Sequence, residues 1–454
     1  MCLVELLLDG RMAVEVGNHF SKGRSSVQEI ERLNESALNS KHWKWSILSA
    51  FADFLDAGGT VATGASMVLW VSYFHLTATL VGVIGMLGAH GVSTAVGAFV
   101  GGRLGDRYGR KYIYSFDLLV YCLGTLVVIF SFSFPVLLIG SIIMGLAIGA
   151  DVPTSWSLIA EIAPQRHRGR LMGLTNVFWY IGPIVILVLL LLFGQLGIWG
   201  VRLVFACLFI VALITWYLRK DITESVRWQV SVGNQKTHDI KKQLSFKRLF
   251  QRRFLKSMAF ILPVYVCWGI PAGTYGFFLP YIFSSVGAAS KGMSYMLEIA
   301  WFLSAIITVV FVYMPLNDRV DRRILYAISA AICAASFYLL VFAPISNPVV
   351  AFSNVLLFGF GQGIGLWPLQ RVWSVELFPT ELRNTGQAFV WSIMRLTLGV
   401  WSFYLPVITH GTGMTIIAAI LAIMFTFNMI VGGLFGPKTA GRSLEEIHPD
   451  ELAV

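Results

Sequence analysis

The sequence has little charge. Of its 454 residues only 13% are Asp, Glu, Lys or Arg, about half the share of an ordinary soluble domain, whereas 56% are hydrophobic. This balance excludes a soluble globular protein, and the mean hydropathy of +0.72 indicates a polytopic membrane protein. The net charge of +10 does not indicate a nucleic-acid partner, because the basic residues cluster in loops between apolar segments.

Cysteine is also scarce. The five cysteines are scattered without metal-ligand spacing, and four of them lie inside apolar runs. They are therefore expected to be small packed side chains, with no disulfide and no metal site. The sequence also lacks a phosphate-binding loop and a nucleophile elbow, so an enzyme is not expected.

Lysine and arginine are missing from every second loop, apart from Lys291. The loops without either residue lie near 72–78, 131–135, 194–200, 344–348 and 409–413. Since basic loops remain on the cytoplasmic side of a membrane, both chain termini are predicted to be cytoplasmic. The expected location is a bacterial inner membrane.

Twelve apolar segments are each long enough to cross a bilayer. They lie near 45–71, 79–102, 112–131, 134–160, 171–194, 201–219, 254–283, 293–314, 323–343, 347–374, 386–408 and 413–435. We predict an all-α membrane protein with a cytoplasmic N-terminal segment (1–44), a six-helix bundle (45–219), a cytoplasmic connector (220–253), a second six-helix bundle (254–435) and a tail (436–454). Met1 and Met12 are alternative starts. The connector is expected either to latch the halves together or to be a solvated linker.

One glycine-rich loop, Gly101 to Lys111, lies between two of these segments. Its glycines allow helices to approach closely, and Asp106 can cap a helix or pair with an arginine. A weaker copy occurs in the second half, at 317–323. The matched residues are Asp106 and Asp318, Arg107 and Arg319, Arg110 and Arg322, and Lys111 and Arg323.

A second motif is repeated in the same order. Glu161 is followed by Ile-Ala-Pro and Arg168, and Glu376 is followed by Leu-Phe-Pro and Arg383. Two repeated motifs indicate duplicated halves, which are typical of secondary transporters. We expect the motif residues to form a latch of ion pairs that breaks when one end opens, with topology marking by charge as the alternative. The predicted gating set is Gly102, Asp106, Arg107, Arg110, Glu161, Arg168, Asp318, Arg319, Arg322, Glu376 and Arg383.

These motifs resemble those of the sugar porters of the major facilitator superfamily and of the related bacterial metabolite:proton symporters. Residues 224–228 are similar to the family's element after helix 6, without its prolines, and 437–446 resemble its tail motif. The resemblance implies the major facilitator fold, with a central site between two six-helix bundles and alternating access. We expect a monomer in the lipid bilayer that acts on a small molecule and has no nucleic-acid partner.

Acidic residues inside the apolar segments are the candidates for proton coupling, because ionisable groups are costly at membrane depth. Asp53 and Asp56 lie three apart on one face of the first segment, and Asp151 lies in the fourth. Carboxylates that are close together and away from water hold a proton more readily than solvated ones. A purely structural ion pair with an arginine is the alternative. Glu298 is expected to be solvated near the outer end of its segment, and His90 is expected to be structural.

The tenth segment carries the main candidate for substrate binding. Arg371 stands where sugar porters tend to have a tryptophan, and its guanidinium can bind a substrate carboxylate. An ion pair with Asp53, Asp56 or Asp151 is the alternative. Only part of the sugar-porter hexose site remains, because Cys267 and Trp268 stand where that family has a glutamine pair. The predicted binding set is Arg371, Gln370, Asn176, Trp268, Trp367 and Arg395.

We therefore expect a secondary active transporter that couples import of a small polar metabolite to protons, with no other cofactor. A sugar acid or another small carboxylate is the first choice of substrate, and a neutral sugar or polyol is the alternative. Two other kinds of carrier are alternatives: a facilitator, which would lack proton coupling, and an efflux carrier, which would transport in the opposite direction. A non-transporting nutrient sensor is least favoured, because the predicted tail is short.

Overall fold

The computed structural model describes residues 32, 34–35, 37–233, 249–285, 290–317, 319–412, 414–440 and 442–448. Within these ranges, twelve helices are long and apolar enough to cross a membrane, and we number them α1 to α12. In chain order they span Ser40–Phe74, Ala78–Tyr108, Arg110–Ile129, Phe134–Ile162, Gln165–Leu196, Ile198–Arg219, Phe254–Phe283, Gly292–Leu316, Arg322–Phe342, Pro348–Glu376, Arg383–Pro406 and Met414–Phe435. Short helices Val226–Gly233 and Leu444–Ile447 follow α6 and α12.

The helices form two bundles of six, as predicted. In the first bundle, α1 packs against α5, and α4 packs against α2 and α3. In the second, α9 packs against α12, and α7 packs against α11. The bundles meet along a seam in which α2 contacts α11, α5 contacts α8 and α1 contacts α7.

Helix α1 begins at Ser40, a few residues before the apolar run. The cause is a capping box: the Asn39 side chain accepts from the backbone N–H of His42 at 3.0 Å, and the His42 ring accepts from the Asn39 N–H. Reciprocal capping satisfies two backbone donors that would otherwise lack partners. The helix therefore extends into the polar segment that precedes the membrane. The predicted amphipathic helix around Val27 and Ile30 lies outside the described residues.

Two helices are interrupted near the middle of the molecule. Helix α2 breaks between Leu87 and Val92, and α10 widens over Gln362–Leu366. The amide of Leu366 donates to the Ser329 hydroxyl at 2.7 Å, which replaces a lost helical partner. Broken helices at membrane depth are tolerated where they are buried in protein or line a cavity. The break in α2 borders the seam, because a Cβ on Gly91 would approach Gly399 on α11. The widened stretch of α10 instead packs against α8 and α9 of its own bundle.

Small residues close the seam at both of its ends. We call the end that carries the 101–111 loop the motif end, and the other the opposite end. At the motif end, a Cβ on Gly102 would collide with the side chain of Ala388 on α11. At the opposite end, a Cβ on Gly64 would collide with the backbone of Phe277 on α7. The bundles are thus in close contact above and below the centre, which is an occluded arrangement.

Candidate functional site

Asp106 links the two bundles at the motif end. This carboxylate on α2 accepts from the backbone amides of Asn384 at 3.2 Å and Thr385 at 2.7 Å, at the start of α11. It also lies 3.1 Å from the guanidinium of Arg110. A carboxylate at a helix N-terminus satisfies free amides and the helix dipole. The first bundle therefore caps a helix of the second.

The two motif glutamates each hold two arginines, one from each bundle. Glu161 on α4 lies 2.6 Å from Arg110 of its own bundle and 3.2 Å from Arg383 of the other. Glu376 on α10 lies 2.8 Å from Arg322 of its own bundle and 3.3 Å from Arg168 of the other. All of these side chains are buried. The duplicated motifs thus form a pair of crossed connections.

Other members of the predicted gating set lie outside this network. Arg107 and Arg319 are exposed, and Asp318 falls outside the described residues. The sequence reading did not assign a gating role to Glu224, whose carboxylate accepts from the amides of Arg110 at 3.1 Å and Lys111 at 3.0 Å. The 224–228 motif was the sequence feature that could have indicated this role. The described part of the connector therefore caps α3, whereas residues 234–248 are outside the described ranges.

Asp53 and Arg371 form an ion pair across the seam, between α1 and α10. Their side chains are 2.6 Å apart, and the indole N–H of Trp156 donates to Asp53 at 3.1 Å. The Arg371 guanidinium lies over the rings of Trp156 and Trp367, at 4.4 and 4.2 Å, and donates to Thr175 at 2.7 Å. Of the alternatives left open by the sequence, the structure has the pair with Asp53.

Asp56 and Arg395 form a second ion pair across the seam, between α1 and α11. Their side chains are 2.6 Å apart, and the indole N–H of Trp179 donates to Asp56 at 3.2 Å. Arg395 lies over the Trp391 ring at 4.5 Å. It also donates at 3.2 Å to the carbonyl of His90, which lies at the break in α2. Both predicted helix-1 acids are therefore joined to arginines of the other bundle.

Asp151 is paired differently, inside the first bundle. Its carboxylate on α4 lies 2.8 Å from Arg219 on α6 and accepts from Ser155 at 3.0 Å. Arg219 also lies 3.8 Å from Asp117 and donates to the carbonyl of Leu48. Because these groups belong to one bundle, relative movement of the bundles does not separate them. The structural ion pair considered as an alternative therefore describes Asp151.

A small cavity of about 30 Å³ lies at the seam beside Asp56 and Arg395. Three tryptophans form much of its wall: Trp179, Trp268 and Trp391. Trp268 stacks on Trp367 with ring centres 3.6 Å apart. Sites for small ligands usually have about 300 Å³ or more, so the bundles must separate before a substrate enters.

The cavity also has polar atoms without a partner among the described residues. They are the hydroxyl of Thr60, both ring nitrogens of His90, the indole N–H of Trp391 and the Nε of Arg395. The His90 ring is buried and stacks on Phe277 of the other bundle at 4.5 Å. Sequence reasoning treated His90 as structural and missed Thr60; the glycines that flank His90 in the α2 break were the available signal.

Four of the six predicted binding residues do not line this cavity: Gln370, Asn176, Arg371 and Trp367. Gln370 donates to the Tyr326 hydroxyl at 2.7 Å and to the Val264 carbonyl at 3.3 Å, inside the second bundle. Asn176 donates to the Met172 carbonyl in its own helix at 3.3 Å. Of the predicted binding set, Trp268 and Arg395 border the cavity, and Trp367 stacks behind Trp268.

The latch, the two ion pairs and the cavity follow one another along α1. The glutamate latch lies at the motif end, Asp53 comes next, Asp56 is one turn further, and the cavity lies beside Ala57, Thr60 and Val61. The close contact at Gly64 follows. A site enclosed between two bundles, with a separate closure on each side, is the arrangement that alternating access requires.

Comparison with known proteins decides the family. A family profile described as Major Facilitator Superfamily matches residues 48–401. The chain belongs to the major facilitator superfamily. It is 38% identical over 420 residues to the minor myo-inositol transporter IolF of Bacillus subtilis, covering 92% of this chain and 94% of that protein.

Other members of the superfamily resemble this protein more distantly. The cis,cis-muconate transport protein of Acinetobacter baylyi is 25% identical, over 80% of this chain and 86% of that protein. The proton:xylose symporter XylE of Escherichia coli, in a structure with 6-bromo-6-deoxy-D-glucose, has the same fold, with a TM-score of 0.75 at 20% identity over 91% of this chain and 99% of that chain. This protein is thus a multi-pass secondary transporter of small molecules and not an enzyme, as the sequence predicted.

Proposed function

We propose that this protein is a proton-coupled symporter of a neutral polyol or sugar. The observation that carries the proposal is the charge arrangement at the seam. Arg371 and Arg395 are each held by an aspartate at 2.6 Å, whereas the partnerless polar atoms of the cavity belong mainly to neutral groups. A carboxylate substrate, our first choice from the sequence, would compete with Asp53 or Asp56 for its arginine.

Neutral hydroxyls match the available partners. A hydroxyl donates and accepts, as do the Thr60 hydroxyl and a neutral His90 ring, whereas a carboxylate only accepts. The indole N–H of Trp391 adds a donor, and the tryptophan faces supply apolar surface for the carbon framework of a ring. Similarity to a myo-inositol transporter supports the same class of substrate.

The location of the two ion pairs supports proton coupling. Each joins α1 of the first bundle to the second bundle, so separating the bundles beside Asp53 or Asp56 breaks a pair. Leaving one buried charge without its partner costs about 3–5 kcal/mol. A proton on the aspartate removes its charge and weakens the pair before the bundles separate. The proton is the only coupling ion that this scheme needs.

We infer the direction of transport from the charges of the loops. The basic motif end would face the cytoplasm of a bacterial inner membrane, together with both chain termini, and the opposite end would face outward. Protons moving inward would then drive import. The site lies between two bundles of one chain, so a monomer suffices.

A ligand panel on the purified protein tests the substrate class. Neutral polyols and sugars, myo-inositol among them, are each compared with a corresponding sugar acid for their effect on the melting temperature. Binding to the folded state raises the melting temperature with ligand concentration. We expect stabilisation by neutral compounds. Stabilisation by the acids alone, lost in Arg371→Ala, would instead establish a carboxylate transporter.

A further inference from the structure

We propose that Glu298 on α8 is a second proton-binding site, which takes up a proton when the opposite end closes. The side chain is fully buried, contrary to the solvated position expected from the sequence. Among the described residues, neither of its carboxylate oxygens has a hydrogen-bond partner. The inference goes beyond the proposed substrate and the two seam ion pairs.

Glu298 differs from every other carboxylate in the described membrane helices. The other seven all lie within 4 Å of an arginine nitrogen: Asp53, Asp56, Asp106, Asp117, Asp151, Glu161 and Glu376. Those acids exchange a proton only by disturbing an ion pair. Glu298 has no such pair to break.

The position of Glu298 is on the seam face of α8. One turn before it, the Tyr295 hydroxyl donates at 3.0 Å to the carbonyl of Ala65 on α1. One turn after it, the Phe302 ring lies 6.2 Å from Trp179 on α5, which borders the cavity. Residues three and four apart share a helix face, so Glu298 lies between these two contacts of the bundles.

Among the side chains that the structure describes, the neighbouring elements supply no cation to Glu298. The packed helices bring three phenols to this part of α8. They are Tyr295 on α8 itself, Tyr180 on α5, whose ring lies 6.1 Å from that of Phe302, and Tyr275 on α7, whose ring lies 6.1 Å from that of Trp301. The basic residues of α5 and α10 lie in the half of each helix toward the motif end. No described cation compensates a negative charge at this position.

The surroundings of Glu298 therefore determine whether its carboxyl group is neutral or ionised in the closed and open states. An ionised carboxylate buried without a donor is strongly unfavourable, whereas the neutral acid is not. When the opposite end opens, α8 moves away from α1 and α5, and water can solvate the ionised form. Closing this end thus binds one proton, and opening it releases one. By linkage, acid on that side favours the closed form.

This proton acts in the opposite sense to one on Asp56. A proton on Asp56 weakens a connection between the bundles and favours their separation. A proton on Glu298 favours their contact at the opposite end. Protonation of Glu298 thus favours closure at the opposite end, and protonation of Asp56 favours release of its ion pair with Arg395. Both steps therefore depend on protons.

Infrared spectroscopy of the purified protein in lipid nanodiscs tests the protonated form directly. A carboxylic acid has a carbonyl stretching band that a carboxylate lacks. At neutral pH we expect a band from about one protonated carboxyl group in the wild type, lost in Glu298→Gln and kept in the matched control Asp151→Asn. An unchanged band in Glu298→Gln would overturn the proposal.

Opening of the opposite end can be measured without a substrate, which provides a second test. Ala65→Cys marks the contact with Tyr295, and its labelling by a water-soluble thiol reagent reports opening at this end. Because a cysteine reacts as its thiolate, the labelling rate at each pH is divided by that of the exposed control Arg103→Cys. In the Ala65→Cys protein we expect this ratio to rise by up to about tenfold per pH unit, the limit for one linked proton. Adding Glu298→Gln should remove that dependence. Equal pH dependence in both proteins would contradict the proposal, whatever the substrate proves to be.

Discussion

The motif end and the central seam both join the bundles by buried ion pairs, but they are built differently. At the motif end each glutamate holds two arginines, one from each bundle. At the seam each aspartate holds one arginine and accepts from one tryptophan. A proton on a glutamate would leave two buried cations together, whereas a proton on an aspartate leaves one.

This difference suits the motif end and the central seam to different functions. The motif end is suited to fixing a conformation, because its charges resist neutralisation by a single proton. The seam is suited to coupling, because one proton changes the charge of a single pair beside the cavity. Asp151 illustrates a third case, since its pair with Arg219 lies inside one bundle and is not disturbed when the bundles move.

The largest expected effect of a single change is on coupling at the seam. We expect Asp56→Asn to abolish substrate accumulation driven by a pH gradient, because the asparagine cannot take up a proton. Exchange of labelled for unlabelled substrate should remain within about threefold of the wild type, since exchange needs no net proton movement. Uptake and exchange in proteoliposomes measure the two activities.

Loss of both activities in correctly folded Asp56→Asn would contradict a pure coupling role. Asp151→Asn is the matched control for removing a buried acid from the same bundle. It should lower the melting temperature but leave pH-driven accumulation in the protein that remains folded.

At the motif end, Glu161→Gln should shift the protein toward states open at that end. The substitution removes the charge that holds Arg383 across the seam, and losing one partner of a buried pair costs about 3–5 kcal/mol. We expect the open population to rise by at least about 100-fold. Spin labels at the exposed residues Arg103 and Arg319 measure the separation of the bundles.

The duplicated motif provides its own comparison. Glu376→Gln breaks the equivalent connection to Arg168 and should produce a similar shift. A distance distribution altered by one glutamate variant but not by the other would show that the two connections are not equivalent.

A smaller effect is expected at the cavity. His90→Ala removes a donor and an acceptor, each worth about 1 kcal/mol, so the affinity for a neutral polyol should fall about 30-fold. Thr60→Ala should cause a weaker loss. Deoxy analogues of the ligand, titrated against both variants, identify which hydroxyl each residue binds. An affinity unchanged in both variants would remove these residues from the binding site.

The smallest effect belongs to the exposed motif arginine. Arg107 lies beside the latch but contacts the Tyr108 ring at 4.9 Å and belongs to none of the crossed ion pairs. Arg107→Ala should change the stability of the closed motif end by less than about 0.5 kcal/mol. The same spin-label distances measure it, and a shift as large as that of Glu161→Gln would extend the latch to the exposed loop.

The sequence predicted the architecture well, because membrane helices have a strong length and hydropathy signal. The repeated motifs also indicated that Glu161 and Glu376 would pair with loop arginines. The crossed pattern could not be deduced, since it depends on which helix ends meet. Arg371 had three possible partners in the sequence, and only the packing of α1 beside α10 selects Asp53.

The burial of a side chain was harder to predict from the sequence than its chemical role. Glu298 lies near the outer end of its segment, but the Tyr295 contact with Ala65 shows that α1 covers this part of α8. His90 looked like a packed histidine, yet the break in α2 brings it to the cavity. Contacts between distant segments decide both cases, and a single sequence does not contain them.

The charge carried by transport tests the central claim most directly. A neutral polyol that enters with one proton moves a positive charge, whereas a singly charged carboxylate that enters with one proton moves none. We predict that adding a neutral polyol to proteoliposomes on a solid-supported membrane produces a positive current into the vesicles, and that Asp56→Asn abolishes it. Uptake of the same polyol without current, at the wild-type rate, would contradict proton symport through the seam.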